Sequence, residues 1–222
     1  MVRPLMYLPQ QLWYRAIDSF QLSKEKGMRA ALTELGKTGA RILYQHADYV
    51  ILTHTLSVPA TTAQPSSGLA IRRATTRDAI STLSLTSGSA DMARFYKLYE
   101  AGSHALIATN HGQIAGYCWA SQGVDGSVNR VQAALPSYPG DAYVHDLFVS
   151  PTHRRQGVGQ ALLIHCLEYL HKSGYKRALA AVAKDNIPSL TLTRNTGYIV
   201  IGELSHMRIL FWGHFKCRIF DL

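Results

Sequence analysis

The chain has 222 residues, of which 47% are hydrophobic, and a formal net charge of +9 at pH 7. This size predicts one domain with an additional segment, and no apolar run reaches the roughly 18 residues that a membrane-spanning helix needs. The first residues lack the cleavage pattern of a signal peptide, and three cysteines without metal-ligand spacing predict a cytoplasmic protein that has neither disulfides nor zinc.

The positive charge is spread along the chain. The residues before Gly68 contain 7 basic and 4 acidic side chains, and the remainder contains 16 and 10. Such a field favours phosphorylated ligands, acidic proteins, RNA or anionic membranes, and it also improves solubility without any partner. Because no five or six basic residues are consecutive, the sequence carries no strong nucleic-acid signal.

Residues 1–56 are predicted to form a helical N-terminal extension. Apolar residues recur at helical spacing from Gln10 to Leu22 and from Met28 to about His46, and a short strand is predicted from Tyr49 to Thr53. Residues 57–68 are rich in Pro, Ser and Thr and are predicted to be a linker. The extension has no functional motif. It could pack on the main domain, or it could contact a membrane face, a carrier protein or a second subunit.

The main domain is predicted to span residues 69–222. A strand, two helices and a β-hairpin are predicted in turn, at residues 69–74, 78–85, 91–101 and 104–121. Residues 122–140 form a long loop, which is uncommon in a compact domain unless it covers or shapes a binding site. We therefore expect this loop to shape a ligand pocket.

The stretch from Ala142 to Gln160 combines a strand, a basic turn and the start of a helix. Its first eight residues are β-branched, aromatic or apolar enough to favour a buried strand. Gly157 and Gly159 then precede apolar residues at helical spacing. Backbone N–H groups of such a turn, the free donors of a helix N-terminus and the charges of Arg154 and Arg155 together predict a phosphate site.

A second strand is predicted from Arg177 to Ala183, where an apolar run without alternation indicates burial on both faces. With the preceding strand and helix it should form a right-handed parallel βαβ unit. Ligands bind beyond the carboxyl ends of such strands. A short helix at residues 186–195 and strands at residues 197–204 and 208–220 are predicted to complete the domain.

The run from Arg154 to Gly159 resembles the (Gln/Arg)-x-x-Gly-x-(Gly/Ala) signature of the GNAT superfamily of acyl-CoA-dependent N-acyltransferases. Its place between a strand and an amphipathic helix is similar too, and Asn186 and Gly197-Tyr198 match a later family element. The alternative is a turn that only packs a strand on a helix. The resemblance implies an α/β (α+β) fold with a mixed, mostly antiparallel sheet, a central splayed parallel strand pair and flanking helices, plus the helical N-terminal extension.

The resemblance also implies acetyl-CoA or another acyl-CoA as co-substrate, and no metal. The diphosphate would lie on the backbone donors of the basic turn, and the pantetheine would pair with the end of the preceding strand. The cofactor-binding residues so implied are Leu147, Phe148, Val149, Arg154, Arg155, Gln156, Gly157, Val158, Gly159, Gln160 and Asn186.

The catalytic candidates are His145, as a proton acceptor through water, and Asp146, as a base or an anchor for the amine. Because adjacent side chains of a strand face opposite ways, only one of them is expected to point into the cleft, and a purely structural pair is the alternative. The family commonly has a proton-donating tyrosine where this chain has Thr193, which is a poor acid.

The acceptor side is implied to lie along the predicted helix at residues 91–101, where Arg94, Tyr96 and Tyr99 are candidate contacts, with core packing or solvent exposure as the alternative for each. The expected function is transfer of an acyl group, most simply acetyl, from acyl-CoA to the amine of a small molecule by direct attack in a ternary complex. An acyl-carrier protein as donor, and a non-catalytic module that binds CoA or a partner, are the alternatives. A homodimer is compatible with the sequence.

Overall fold

The computed structural model describes residues 44–57, 68–76, 78, 89–122, 130–209 and 212–220. Within these ranges one eight-stranded sheet is flanked by helices on both faces. The strands are β1 (Tyr44–Thr55), β2 (Leu69–Arg73), β3 (His104–Asn110), β4 (Gln113–Gln122), β5 (Asp141–Val149), β6 (Arg177–Ala183), β7 (Ile199–Ile209) and β8 (Trp212–Ile219). The helices are α1 (Ser89–Glu100), the single turn α2 (Arg130–Ala133), α3 (Val158–Lys172) and α4 (Ile187–Asn195).

The strand order is β2-β3-β4-β5-β6-β1-β7-β8, and all neighbouring pairs are antiparallel except β5 and β6. That parallel pair is short, since it ends at Tyr143 and Leu179. Beyond these residues the two strands diverge. The predicted fold class, a mixed and mostly antiparallel sheet with a splayed parallel pair at its centre, is therefore confirmed.

The sheet separates two sides of the core. In β3, Leu106 and Ala108 pack with α3, whereas Ala105 and Ile107 pack with α1 on the opposite face. Strands of this kind are buried on both faces and show no polar alternation in sequence. As a result, α3 and α1 lie on opposite sides of the sheet, with the diverging strands between them.

Strand β1 corrects two predictions. The strand expected from Tyr49 to Thr53 is present, but it begins at Tyr44, so the end of the helix predicted up to about His46 is wrong. The predicted domain boundary at residue 69 is also wrong, because β1 lies inside the sheet between β6 and β7 and precedes that boundary.

The physical reason is burial. Val50, Ile51 and Leu52 are 8%, 0% and 0% exposed, so they belong to the core and not to an appended segment. A short apolar run does not distinguish a fully buried strand from a buried helix, and apolar residues upstream had suggested a helical period. Three other predictions lie largely outside the described residues: the rest of the extension, the linker except its two ends, and most of the helix at 78–85.

The remaining elements lie close to their predicted positions. The helix expected at 91–101 is α1, the hairpin is β3 and β4, and β6 has the predicted bounds. The hairpin turn uses positive φ angles of 48° at His111 and 81° at Gly112, as an Asn-His-Gly sequence allows. In the long loop, the described part contains α2.

Candidate active site

A β-bulge near the end of β5 opens the site. Trp119 of β4 pairs with His145, and Tyr117 pairs with Phe148, so β5 has one extra residue in this interval. Asp146 lies in the bulge with a φ angle of 50°. A left-handed backbone is unusual for residues with a side chain, but Asp is among those that adopt it most readily. The bulge bends β5 away from β6.

The diverging strands enclose a cleft of about 230 Å³. One wall is β5 from Val144 to Leu147, and the other is β6 from Ala180 to Ala183. The residues that line it from the α3 and α4 side are Leu163, Asn186, Ser189, Thr193 and Tyr198.

Asp141 and Arg177 close the start of the strand pair. The guanidinium donates hydrogen bonds of 2.9 and 2.7 Å to the two carboxylate oxygens, and the backbone N–H of Tyr138 donates a third at 2.7 Å. Burial raises the pKa of Asp141, but the bonds from Arg177 and Tyr138 outweigh it, so the pKa is lowered overall. The Asp141–Arg177 ion pair thus holds β5 and β6 together at the start of their parallel pairing, whereas the two strands diverge at the other end.

The basic turn between β5 and α3 presents free backbone donors. Arg155 and Gly157 have φ angles of 60° and 77°, and Gly157 is the residue that precedes α3. Among the described residues, no protein acceptor is found for the backbone N–H groups of Val158, Gly159 and Gln160. These are the first-turn donors of α3, which carry the positive end of its dipole. They fit a phosphate group.

The side chains of the turn add positive charge around these donors. Arg154 and Arg155 are both exposed, and Nε of Arg154 donates a hydrogen bond of 3.2 Å to the carbonyl of Val149 at the end of β5. The amide of Gln156 donates to the carbonyl of Thr152 at 3.0 Å, which closes the turn.

Gly159 lies where α3 approaches β5 and α4 closely. A Cβ atom at this position would be 3.3 Å from Cδ2 of Leu192 and 3.4 Å from Cγ2 of Val149. A side chain would have to displace these neighbours or enter the space in front of the helix N-terminus. The predicted phosphate-site residues 154–160 are therefore brought together with Leu147, Phe148 and Val149 at the end of β5.

The two catalytic candidates contact each other. Oδ2 of Asp146 is 3.3 Å from Nδ1 of His145 and 2.6 Å from a guanidinium nitrogen of Arg94 on α1. Both candidates line the cleft. The expectation that only one of the two side chains points into the cleft stays a prediction. The bulge interrupts the alternation of a regular strand, and the Asp146 side chain is far more exposed than that of His145.

The His145 ring is hydrogen bonded to the first of two linked serine hydroxyls. Its Nε2 is 2.7 Å from Oγ of Ser121, which is 2.7 Å from Oγ of Ser103. Its Nδ1 is buried and close to Asp146 but not aligned for a hydrogen bond, so we treat that contact as electrostatic. The neighbouring carboxylate favours a proton on Nδ1, and we assign Nε2 as the acceptor from Ser121.

Asp146 is the more accessible of the pair, with 28% of its side chain exposed against 3% for His145. Burial raises the pKa of Asp146, but the electrostatic contacts with His145 and with the Arg94 guanidinium outweigh it, so the pKa is lowered overall. At neutral pH the cleft therefore contains a carboxylate, and Arg94, a predicted acceptor contact, is its partner.

Asn186 and Thr193 use their side chains within α4. Oδ1 of Asn186 accepts a hydrogen bond of 3.2 Å from the backbone of Ser189, as the residue that caps the helix. The Thr193 hydroxyl donates to the carbonyls of Ser189 and Leu190 at 3.0 and 3.1 Å. The proton of Thr193 is thus already used by its own helix.

Tyr198 is a cleft residue that sequence reasoning missed, since it was noted only as part of the Gly197-Tyr198 match. The residue is 3% exposed, it lines the cleft, and its hydroxyl has no hydrogen-bond partner among the described residues. No sequence pattern marks a buried unpaired hydroxyl. Ser103 and Ser121 were missed for a similar reason, because serines carry no signal of a buried network.

Cys118 and Cys166 are both fully buried between β4 and α3. The neighbouring Cys166 and burial raise the pKa of the Cys118 thiol well above its usual range, so it remains an unreactive thiol. Across the residues that the structure describes, no group of three or more His, Cys, Asp or Glu side chains could hold a metal, and no helix is long and apolar enough to cross a membrane.

Comparison with known proteins agrees with this architecture. A phosphinothricin N-acetyltransferase from Streptomyces viridochromogenes is 32% identical over 92 residues, which cover 40% of this chain and 50% of that protein. A probable N-acetyltransferase from Arabidopsis thaliana is 38% identical over 73 residues, or 32% of this chain and 18% of that protein. The chain thus spans at most half the length of these two relatives.

The fold is also similar to that of a GCN5-related N-acetyltransferase from Sphaerobacter thermophilus, with a TM-score of 0.57 and 16% identity. The match covers 86% of this chain and 58% of that chain, and at this identity it shows the fold alone. The model of the acetyltransferase (GNAT) family matches residues 72–198, more than half of the chain. The protein therefore belongs to the acetyltransferase (GNAT) family, whose members generally use acyl-CoA as co-substrate.

Proposed function

We propose that this protein is an N-acyltransferase that moves an acyl group, most simply acetyl, from acyl-CoA to the amine of a small molecule in a ternary complex. The observation that carries the proposal is that the backbone amides of Val158, Gly159 and Gln160 have no acceptor among the described residues and lie next to a cleft between two diverging strands. Had those amides been bonded to protein groups, or the strands been paired throughout, the donor would have had no site.

The residues present fit acyl-CoA. The amides of the α3 N-terminus, with Arg154 and Arg155, would hold the diphosphate. The backbone of β5 from Leu147 to Val149 is not paired with β6, so its N–H and C=O groups on that side suit the amides of pantetheine. When bound, the thioester supplies a carbonyl carbon that an amine can attack directly.

Asp146 is proposed to hold the acceptor amine. A lysine-like amine has a pKa of about 10.4 and is mostly protonated at neutral pH, so a carboxylate can bind it as an ammonium. Because the pKa of Asp146 is lowered, it suits an anchor better than a strong base, and the proton would leave through water. His145, which is buried against Ser121, would position Asp146.

The acceptor class is supported by one relative. The Streptomyces protein is named for N-acetylation of phosphinothricin, a small molecule. Arg94 lies beside Asp146 and is half exposed, so an acceptor with an acidic group next to its amine could contact both side chains. A cytoplasmic location, a homodimer and use of an acyl-carrier protein in place of free acyl-CoA remain predictions from sequence alone.

A non-catalytic CoA-binding module is the second candidate. It is favoured by Thr193, whose hydroxyl is engaged in α4 and cannot easily donate a proton. Turnover of acetyl-CoA with a panel of amines separates the two. Tight CoA binding without turnover of any amine would favour the module.

The test of the donor site is the thermal shift caused by acetyl-CoA. Gly159→Asp introduces bulk and negative charge in front of the α3 N-terminus, and we expect it to abolish the shift. Gly213→Asp on β8 is the matched control, because a Cβ there meets no atom closer than 3.7 Å and the position is remote from the cleft.

If Gly159→Asp fails to fold, Arg155→Gln removes one exposed charge and should reduce the shift instead. An unchanged shift in a folded Gly159→Asp variant would overturn the proposed donor site. Loss of the shift in Gly213→Asp would show that the effect is not specific to the turn.

A further inference from the structure

Three buried side chains form a hydrogen-bonded chain that ends at one of the catalytic candidates. Nε2 of His145 on β5 is 2.7 Å from Oγ of Ser121 on β4, which is 2.7 Å from Oγ of Ser103. The three residues are 7%, 6% and 5% exposed. Serine is mostly exposed in proteins, and a buried hydroxyl lowers stability unless it is hydrogen bonded. Two buried serines linked to one imidazole therefore indicate that the ring is held in one orientation.

The chain of hydroxyls joins β5 to the end of α1. Ser103 closely follows α1, and its backbone N–H donates a hydrogen bond of 3.0 Å to the carbonyl of Leu98 in that helix. Arg94 of the same helix lies 2.6 Å from the carboxylate of Asp146. Helix α1 is thus connected to two consecutive residues of β5, to Asp146 directly and to His145 through the serines.

The backbone of Asp146 explains why its side chain needs such support. The residue lies in the β-bulge with a φ angle of 50°. A residue in a bulge is left out of the regular ladder, so pairing with β4 does not fix the direction of its side chain. The contacts of Oδ2 with Arg94 and with Nδ1 of His145 therefore set the position of the carboxylate.

The protons of the chain can be assigned in one direction. The carboxylate of Asp146 lies 3.3 Å from Nδ1 of His145 and favours a proton there, which leaves Nε2 as an acceptor. Ser121 has a single hydroxyl proton and donates it to Nε2. The bond between the two serines is then donated by Ser103. A flipped imidazole would break the bond with Ser121.

We infer that Ser121 is a positioning residue, which together with Ser103 holds the His145 ring so that its Nδ1–H faces the Asp146 carboxylate and fixes it for the acceptor amine. This inference rests on the proposed function and adds two residues to it. Neither serine is among the described residues that line the cleft, so both act through His145.

The first test is kinetic, with the best acceptor among glucosamine, L-lysine, L-alanine and ethylamine. Ser121→Ala should lower kcat/KM for this amine about 10-fold, because small displacements of a positioned group are costly, and should leave KM for acetyl-CoA almost unchanged. Ser121→Thr keeps a hydroxyl and suits a strand, so it should retain most of the activity. Ser103→Ala should cost about 3-fold and add almost nothing to Ser121→Ala, because both serines act through one chain.

The second test reads the position of the proton directly. NMR of the protein with isotopically labelled histidine nitrogens distinguishes the two tautomers, and the signals that are missing from His145→Gln identify the ring. At about pH 8, above the ordinary histidine pKa of about 6.5, wild-type His145 should carry its proton on Nδ1. Ser121→Ala should show a mixture of tautomers, and Ser121→Thr should match the wild type.

Thr196→Val is the matched control for stability. It also removes a buried hydroxyl with protein partners, the carbonyls of Leu192 and Thr193 at 3.1 and 2.8 Å, but Thr196 is not among the described residues that line the cleft. Both Thr196→Val and Ser121→Ala should lower the melting temperature. Only Ser121→Ala should change kcat/KM for the amine and the tautomer of His145.

A proton on Nε2 of wild-type His145 would overturn the inference, because Ser121 could then not donate to the ring. Unchanged kcat/KM in a folded Ser121→Ala variant would also overturn it, as would a folded Ser121→Thr variant that is as slow as Ser121→Ala. If Ser121→Ala does not fold, Ser103→Ala decides by the same two measurements. Absence of turnover by the wild type with all four amines would instead count against the proposed N-acyltransferase, while the proton position in His145 still tests the role of the serines.

Discussion

Asp141 and Asp146 lie five residues apart on β5. Asp141 lies where β5 is paired with β6, and Asp146 lies where the two strands have diverged. Asp141 is joined to Arg177 of β6 by two hydrogen bonds, and Asp146 is joined to Arg94 of α1 by an ion pair. The first pair fixes β5 to its parallel neighbour, and the second fixes its bent end to a helix. Each aspartate therefore has a different consequence when its arginine is removed.

Arg177→Met should destabilise the protein strongly. It leaves the Asp141 carboxylate, whose side chain is 3% exposed, without its cation, and we expect a loss of about 2–4 kcal/mol in the free energy of unfolding. Urea denaturation at pH 7 measures this loss. Lys184→Met is the control, because its pair with Glu203 is 43% and 45% exposed and should contribute about 1 kcal/mol or less. Similar losses in both variants would show that the Asp141–Arg177 pair has no special role in holding β5 to β6.

Asp78 should make stability depend on pH in acid. Two hydrogen bonds from Arg72, with two more from Thr75, hold the pKa of Asp78 at about 2, below its ordinary value of 3.8, although burial acts in the opposite direction. A depressed pKa stabilises the fold above the unfolded value, and the contribution is lost as pH falls from about 4 to 2.

Asp78→Asn should therefore be less stable than the wild type at pH 7, by about 1–2 kcal/mol, and this difference should shrink toward pH 2. Urea denaturation of both proteins at several pH values checks it. A difference that stays constant over this range would show that the Arg72 pair does not control the pKa.

Two substitutions of Asp146 distinguish the role of its left-handed backbone from the role of its carboxylate. Asn adopts a left-handed backbone nearly as readily as Asp, whereas Ala does not, so Asp146→Asn should keep the bulge and Asp146→Ala should lose about 1 kcal/mol more of stability. Both should lower kcat/KM for the amine, by about 10-fold or more, since both lack the charge. Retained kcat/KM in Asp146→Asn would refute the anchor role.

Two glycines should respond differently to alanine. At Gly157, whose φ is 77°, an added Cβ meets no atom within 4 Å, so Gly157→Ala should lose only about 1 kcal/mol through backbone conformation. At Gly116 the Cβ would lie 2.5 Å from the carbonyl oxygen of Phe148, which is backbone and cannot move away easily. Gly116→Ala should therefore lower the melting temperature much more.

The elements that have a local signal along the chain could be predicted from the sequence. The bounds of β6 could be predicted from its uninterrupted apolar run, and the turn before α3 from its glycines and arginines. The bulge at Asp146 could not, because Asp in a strand looks like an ordinary polar position until the pairing partner is known. The Tyr198 hydroxyl has no hydrogen-bond partner within the described part of the chain, and this depends on its surroundings in three dimensions, which no spacing along the chain encodes.

The internal position of β1 has a consequence for how the molecule is made. Asp48 of β1 accepts a hydrogen bond from Ser205 of β7, 157 residues later in the chain. Strand β1 can therefore pair with its neighbours β6 and β7 only after both have been synthesised. Contacts of such separation slow folding, and the apolar residues of the waiting segment are exposed to aggregation in the meantime. A nascent chain that stalls before β7 is complete would offer an open sheet edge, which gives chaperones a defined target.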